Sequence, residues 1–232
     1  MGVYCLLVEG LTEEIYFEKL LYWIRLRDNL KVSKKLSEVL DDSIHPNKVW
    51  IKSVIGDGSF GSYIKKNKKA FVQTEFEKII LVRDLYSGIR KFAAMCKGNL
   101  IQYIMAGIPD DIKAQYAGRI HINFSVQEIE AWFFADMKML SSFDPRLTEE
   151  YINTNYRNGL SLNPEDIARP SSLLKKILLT ECRFNYMKHE KEIYRIVSKI
   201  NMNNYIGLVG NSYAQSLSRI IQFFRSELSN AS

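Results

Sequence analysis

Short apolar runs alternate with helical segments over residues 1–137, and this alternation constrains the fold of the 232-residue chain more than any other feature. Each run has about the length of a buried strand, and each is followed by a stretch with apolar residues at helical spacing. Strands that alternate with helices form a mostly parallel sheet with helices on both faces. Four strands are predicted, at residues 3–8, 49–55, 78–82 and 119–124.

The alternation ends near Pro145, where the chain changes character. Residues 153–169 are polar, with Pro164 inside the segment and Pro170 directly after it, and this pattern predicts a loop. Helical spacing then returns at residues 171–179, 190–200 and 213–228. We therefore expect an α/β chain with a mostly parallel, four-stranded, Rossmann-like sheet over residues 1–140. A helical C-terminal extension over residues 141–232 is expected to pack on it.

Composition indicates which class of protein this is and in which compartment we expect it. Hydrophobic residues make up 47% and charged residues 25%, the ordinary mixture of a globular domain. No apolar run approaches the roughly 20 residues that span a bilayer, and residues 3–8 lack the basic region of a signal peptide. Three scattered cysteines show no metal-ligand spacing and fit a reducing compartment. We expect a cytoplasmic protein without a membrane partner.

The charge map is uneven, with a net charge of +6. Basic residues predominate in residues 46–119 and 171–232, whereas residues 1–45 and 120–170 are net acidic. Basic surface suits nucleic acid, because neutralised phosphates release counterions. The alternative is a solvated helix face that serves solubility. The candidate nucleic-acid contacts are Lys65, Lys66, Lys68, Lys69, Lys175 and Lys176.

Carboxylates follow the apolar strands. Glu9 comes directly after the first strand, Asp84 follows the third, and the fourth leads into Glu128 and Glu130. Ligands of a parallel sheet collect beyond the carboxyl ends of its strands. Carboxylates gathered there repel one another unless a cation lies between them, and Mg²⁺ or Mn²⁺ prefers such oxygen ligands. The sequence therefore predicts a divalent-metal site, with Glu9 and Asp84 on neighbouring strand ends.

Other interpretations of these residues stay open. Asp84 could pair with Arg83, and the Ser125–Glu128 stretch matches a helix capping box. Helical spacing points Glu128 and Glu130 apart, so only one of them is expected to reach the site. The glycine spacing at residues 56–61 matches a dinucleotide-binding loop, but no acidic strand end follows about 20 residues later.

In these residues the chain resembles the TOPRIM domain of topoisomerases, primases and several nucleases. The stretch Val8–Glu13 is similar to the family's opening motif, and Leu81–Tyr86 stands where its Asp-x-Asp motif belongs. Small stand-alone bacterial TOPRIM-like proteins, often associated with phage defence, share three further elements. These elements are Gln127–Ala131, Arg169–Ser171 and Tyr186–Lys188.

The resemblance implies a Mg²⁺-dependent nuclease of anti-phage defence that cleaves DNA or RNA. Glu9 and Asp84 would bind metal with Glu128 or Glu130, Glu9 would act as general acid/base, and Lys188 would stabilise the phosphate. The chain departs from the family at Tyr86, which replaces the second Asp. A non-catalytic module that binds nucleic acid or a partner ATPase is therefore the alternative. The oligomeric state stays open, with a homodimer among the alternatives.

Overall fold

The computed structural model describes residues 2–24, 30–54, 60–85, 97–157, 163–204 and 214–229. These residues form two compact units: Met1–Phe124 with Phe224–Ser232, and Ser125–Phe223. The predicted boundary near residue 140 differs from this division. Residues 125–140 belong to the second unit, and the C-terminal residues return to the first.

The first unit is built on a five-stranded sheet of order β2-β3-β1-β4-β5. Its strands are β1 (Gly2–Val8), β2 (Leu30–Ser33), β3 (Asn47–Ser53), β4 (Lys78–Asp84) and β5 (Ile120–Ser125). β1 pairs in parallel with β3 and with β4, and β2 pairs in parallel with β3. The α/β class with a parallel sheet flanked by helices is thus confirmed.

Helices fill the connections between these strands. They are α1 (Leu11–Ile24), α2 (Leu36–Leu40), α3 (Phe60–Lys66), α4 (Lys68–Gln73), α5 (Lys97–Gly107) and α6 (Asp110–Gln115). β1 lies in the middle of the sheet because it is apolar on both faces, and residues 5–8 are fully buried. Since α1 begins three residues after β1 ends, its first turn lies at the carboxyl edge of the sheet.

The prediction of four strands is wrong by one. β2 lies in a largely polar segment between β1 and β3, and the short helix α2 follows it. β2 has only four residues and two strongly apolar side chains, so its local pattern is weak. Pairing with β3 stabilises it, and the Tyr22 hydroxyl donates to the Val32 carbonyl at 3.4 Å.

The basic segment after β3 forms two short helices rather than one. α3 and α4 are separated by Asn67, whose side-chain amide donates to the Tyr63 carbonyl at 2.9 Å. α3 also passes very close to α5: a Cβ added to Gly61 would lie 2.1 Å from the Gly107 carbonyl oxygen. This close approach explains the glycine at position 61. Gly56 and Gly58, the other members of the glycine pattern, lie outside the described residues.

The second unit is helical. Its elements are α7 (Glu130–Phe133), α8 (Lys138–Ser141), α9 (Glu149–Tyr156), a 3₁₀ turn (Pro164–Asp166), α10 (Pro170–Cys182), α11 (Glu190–Lys199) and most of α12 (Gln215–Ser229). The three predicted C-terminal helices are present as α10, α11 and α12. Residues 153–169, predicted as a loop, contain the end of α9 and the 3₁₀ turn.

The helix that the capping-box match at Ser125–Glu128 would begin is present only as the short α7. Ser125 is the last residue of β5, so it does not cap a helix, and Gln127 has a φ of 100°. Burial of Ala131 and its neighbours on every side of α7 holds this single turn in place. Among the helices of the described ranges, none combines the length and the apolar character that a membrane crossing demands.

Candidate functional site

Two acids meet at the carboxyl edge of the central sheet. Val8 pairs with Val82 in parallel register, so the residues that follow these two leave the sheet side by side. Glu9 and Asp84 thereby reach the same edge, where the Asp84 backbone N–H donates to Glu9 Oε2 at 3.3 Å. The Glu9 side chain is 23% exposed, so it is accessible to a ligand from solvent.

A buried cation lies beside this pair. The Arg83 side chain is fully buried, and its Nε lies 3.7 Å from Glu9 Oε2. Arg83 is the register neighbour of Glu9, because each follows a member of the Val8–Val82 pair. One oxygen of Glu9 is therefore held from the protein side by Arg83 and the Asp84 backbone. The sequence suggests Asp84 as a partner of Arg83, and the structure shows that Glu9 is one.

Glu13 and Glu14, in the first turn of α1, lie at the same edge. Their position in the sequence indicates only a favourable interaction with the helix dipole. Glu14 Oε2 accepts a hydrogen bond of 2.6 Å from the Ser53 backbone at the end of β3. Glu13 folds back over Gly10: a Cβ added there would lie 2.8 Å from Glu13 Oε2. Glu14 thus ties α1 to β3, and Glu13 places a carboxylate over Gly10, a position that sequence reasoning missed.

The donors at this edge fit a hard divalent cation. Carboxylate oxygens suit Mg²⁺, which is commonly held by one or two carboxylates together with water and substrate phosphate. Glu9 and Asp84 supply that number. Within the described residues, no group of three or more His, Cys, Asp and Glu side chains is placed to hold a metal. Tyr86, the residue in place of the second Asp, lies outside the described residues.

The second unit contains a buried carboxylate with a charged partner. Glu130 is completely buried, and its Oε1 accepts hydrogen bonds from the Tyr186 hydroxyl at 3.0 Å and from Lys188 Nζ at 2.7 Å. Its Oε2 is buried as well and receives no hydrogen bond from the part of the chain that the structure describes. Since the Lys188 side chain is 45% exposed, Glu130 holds an ammonium group that still reaches solvent.

The backbone around Lys188 is held in an unusual conformation. Lys188 has a φ of 61°, in the left-handed region that side chains other than glycine rarely adopt. Glu192 Oε2 accepts from the Met187 backbone N–H at 2.7 Å and from the His189 backbone N–H at 3.2 Å. These bonds, led by the one from Met187, lower the pKa of Glu192. His189 itself is the N-cap residue of α11.

Glu128 also has a partner in the second unit. Its Oε2 accepts a 2.9 Å hydrogen bond from the backbone N–H of Ser171, in the first turn of α10. Gln127–Ala131, Arg169–Ser171 and Tyr186–Lys188 are therefore joined through Glu128 and Glu130. Glu9 and Asp84 belong to the first unit, so the participation of Glu128 or Glu130 in their site stays a prediction.

Comparison with known proteins identifies the family. A family model described as a domain of unknown function, DUF4276, matches residues 8–204. The chain belongs to the DUF4276 family. This match includes both acids of the sheet edge and the Glu130–Lys188 pair. No curated protein matches the chain.

One solved structure aligns with the DUF4276 chain over most of its length. It is the C-terminal region of the Xanthomonas campestris pv. campestris OLD protein, with 14% sequence identity. The alignment covers 97% of this chain and 93% of the other, with a TM-score of 0.41.

The lysines of the DUF4276 chain that are predicted to contact nucleic acid are placed on both units. Lys65, Lys66, Lys68 and Lys69 are exposed around the junction of α3 and α4, and Lys68 pairs with Asp111 at 2.7 Å. Lys175 Nζ lies 3.0 Å from the Met187 sulfur, and Lys176 Nζ lies 5.6 Å from the centre of the Tyr156 ring. Lys65, Lys66 and Lys69 thus form an exposed basic patch of the first unit.

Proposed function

We propose that the protein is a metal-dependent nuclease of TOPRIM type that cleaves phosphodiester bonds in DNA or RNA. One observation carries the proposal. The acids at the ends of the neighbouring strands β1 and β4 lie at one edge, with the Asp84 backbone 3.3 Å from the Glu9 carboxylate. The buried strands preceding them fix this edge rigidly, as a catalytic site requires.

Glu9 and Asp84 would hold Mg²⁺ or Mn²⁺ through the oxygens that face solvent. When bound, such an ion polarises the phosphodiester and lowers the pKa of a bound water. Glu9 is held through one oxygen by Arg83 and the Asp84 backbone, so its second oxygen would contact the ion through a bound water and would exchange a proton with that water during hydrolysis. No side-chain nucleophile is needed for this reaction.

We assign Lys188 to the phosphate. Its ammonium is half-exposed and oriented by Glu130, so it can donate to an oxygen that gains charge during cleavage. The contacts of Glu130 favour a role as the partner of this lysine over a role as a metal ligand, because Oε1 already accepts from Lys188 and Tyr186 and Oε2 is buried away from solvent. Glu128 remains the proposed third acid of the metal site.

The test is a cleavage assay on single- and double-stranded DNA and RNA with Mg²⁺ or Mn²⁺. E9Q and D84N should each lower the rate at least about 100-fold, because removal of a catalytic electrostatic group costs on this order. E75Q removes the same charge from an exposed site on the first unit and should retain the wild-type rate. Cleavage that survives EDTA, or that is unchanged in E9Q and D84N, would overturn the proposal.

A second function has its own support. Tyr86 in place of an acid, and the lack of a three-residue metal cluster among the described residues, favour a non-catalytic module that binds nucleic acid or a partner ATPase. A titration with Mn²⁺ separates the two functions. Binding that disappears in E9Q favours the nuclease, whereas nucleic-acid binding with no Mn²⁺ binding favours the module.

The biological setting belongs to the same proposal. The resemblance to stand-alone TOPRIM-like proteins supports a role in bacterial anti-phage defence, in the cytoplasm. Loss of phage resistance in a strain carrying E9Q, with protein levels maintained, is the expected outcome.

A further inference from the structure

Arg83 is an unusual residue for an edge that collects carboxylates. The four residues before it in β4, from Ile79 to Val82, are apolar and buried, and Arg83 is buried with them. Its Nε lies 3.7 Å from Glu9 Oε2, on the protein side of that carboxylate. A positive charge therefore lies permanently beside the oxygen atoms that the proposed function assigns to a divalent cation.

The two cations would compete for the charge of Glu9. A metal ion binds a carboxylate oxygen at about 2.1 Å, which puts its centre on the order of 6 Å from the guanidinium when both use Glu9. At that distance, the repulsion between charges of +1 and +2 lowers the affinity for the metal about tenfold even at the dielectric constant of water. Burial of Arg83 reduces screening by salt, so the repulsion persists at physiological ionic strength.

We propose that Arg83 is a built-in counter-cation that keeps Glu9 in place and weakens the resting affinity of the site for divalent metal. The inference rests on the proposed function, because it concerns the same carboxylates. Arg83 offsets one of the negative charges of Glu9 and Asp84, so this edge attracts a divalent ion less strongly than its carboxylates alone would. A nucleic-acid phosphate adds negative charge, so metal and substrate bind tightly only together.

A purely structural role would predict the opposite response to mutation. If Arg83 only held the edge together, its removal would loosen Glu9 and weaken metal binding. If its charge opposes the metal, an uncharged replacement strengthens metal binding. The sign of the change therefore separates the two roles.

The experiment measures Mn²⁺ affinity by electron paramagnetic resonance and calorimetry, with the metal alone as the probe. R83Q and R83M should bind Mn²⁺ about tenfold more tightly than wild type, and R83K should stay within about threefold of it because the charge is retained. Two uncharged variants are used in case one fails to fold: Gln keeps a hydrogen-bond donor, and Met fills the buried volume. Both should fold, because Glu9 can be hydrated once its partner is gone.

Thermal unfolding and circular dichroism confirm that each variant is folded. Mn²⁺ binding by wild type together with equal or weaker binding by folded R83Q and R83M would overturn the role of Arg83 and leave the proposed function standing. If neither wild type nor the uncharged variants show any Mn²⁺ binding that E9Q removes, the proposed metal site itself is overturned.

Discussion

At the scale of single residues, a substitution in the Glu130–Lys188 pair is expected to change the stability of the fold as well as the proposed activity. Glu130 is fully buried, so its charge depends on the Lys188 ammonium and the Tyr186 hydroxyl. Removing one member of such a pair leaves an uncompensated buried charge, which costs more than the pair contributes. Loss of activity in a Lys188 variant therefore cannot be assigned to catalysis until stability has been measured.

We expect K188M to lower the free energy of unfolding by roughly 2–3 kcal/mol, less than for a pair buried at both ends because Lys188 is 45% exposed. The double variant E130Q/K188M should recover most of this loss, since no charge is left buried. K191M, at an exposed position of α11, is the matched control and should change stability little. Denaturant unfolding checks all three, and a K188M protein as stable as wild type would contradict the buried-charge argument.

The second prediction at this scale concerns pH. Hydrogen bonds from Met187 and His189 lower the pKa of Glu192 below its ordinary value of 4.5. A depressed pKa means that the ionised group stabilises the fold above pH 4.5 and that this stabilisation is lost as pH falls through the folded-state pKa. E192Q should therefore be less stable than wild type at pH 7, and the difference should shrink on acidification below about 4.5. A difference that stays constant between neutral and strongly acidic pH would refute this assignment.

At the scale of elements, the close approach of α3 to α5 leaves no space for a side chain at Gly61. A Cβ at Gly61 would lie 2.1 Å from the backbone oxygen of Gly107, and backbone cannot move aside as a flexible side chain can. We expect G61A to destabilise the protein by about 3 kcal/mol or more. G98A is the matched control in α5, where a Cβ meets nothing within 4 Å, and it should stabilise by about 0.5–1 kcal/mol.

Thermal melts of G61A and G98A give the comparison directly. Similar melting temperatures for the two variants would show that α3 and α5 can separate at no cost. The glycine at position 61 would then need another explanation, such as the phosphate-binding loop that its spacing suggests.

At the scale of the whole molecule, the exposed lysines of the first unit are the candidate surface for nucleic acid. Lys65, Lys66 and Lys69 are exposed, whereas Lys68 already pairs with Asp111. Reversing the three exposed lysines to Glu should weaken nucleic-acid binding for all sequences and flatten its salt dependence, by about 0.7–0.9 in log–log slope for each phosphate that is no longer neutralised. Fluorescence anisotropy over a salt series measures both quantities.

The corresponding Gln variants separate the removal of attraction from the addition of repulsion and should give a smaller decrease in affinity. Binding that is unchanged in the Glu variants would mean that this patch serves solubility alone.

Local sequence patterns predict those strands and helices whose own residues determine their structure. The placement of Glu9 and Asp84 at one edge of the sheet is predictable because Glu9 follows a largely apolar strand, Asp84 ends another, and such strands lie side by side in a parallel sheet. β2 is missed because pairing with β3, and not its own four residues, makes it a strand. The same limit applies to Glu130, whose partner Tyr186 is 56 residues away in sequence. Nothing near Arg83 in the sequence indicates that its charge is buried.

The chain leaves the first unit at Phe124 and returns to it at Phe224. The returning residues contact the sheet: the Tyr4 hydroxyl donates to the Glu227 carbonyl across 223 positions of sequence, and the Glu227 carboxylate pairs with Lys78. During translation, the first unit is therefore completed by residues that are synthesised after the whole of the second unit. The contacts of Tyr4 and Lys78 with Glu227 therefore form only after synthesis has passed residue 227.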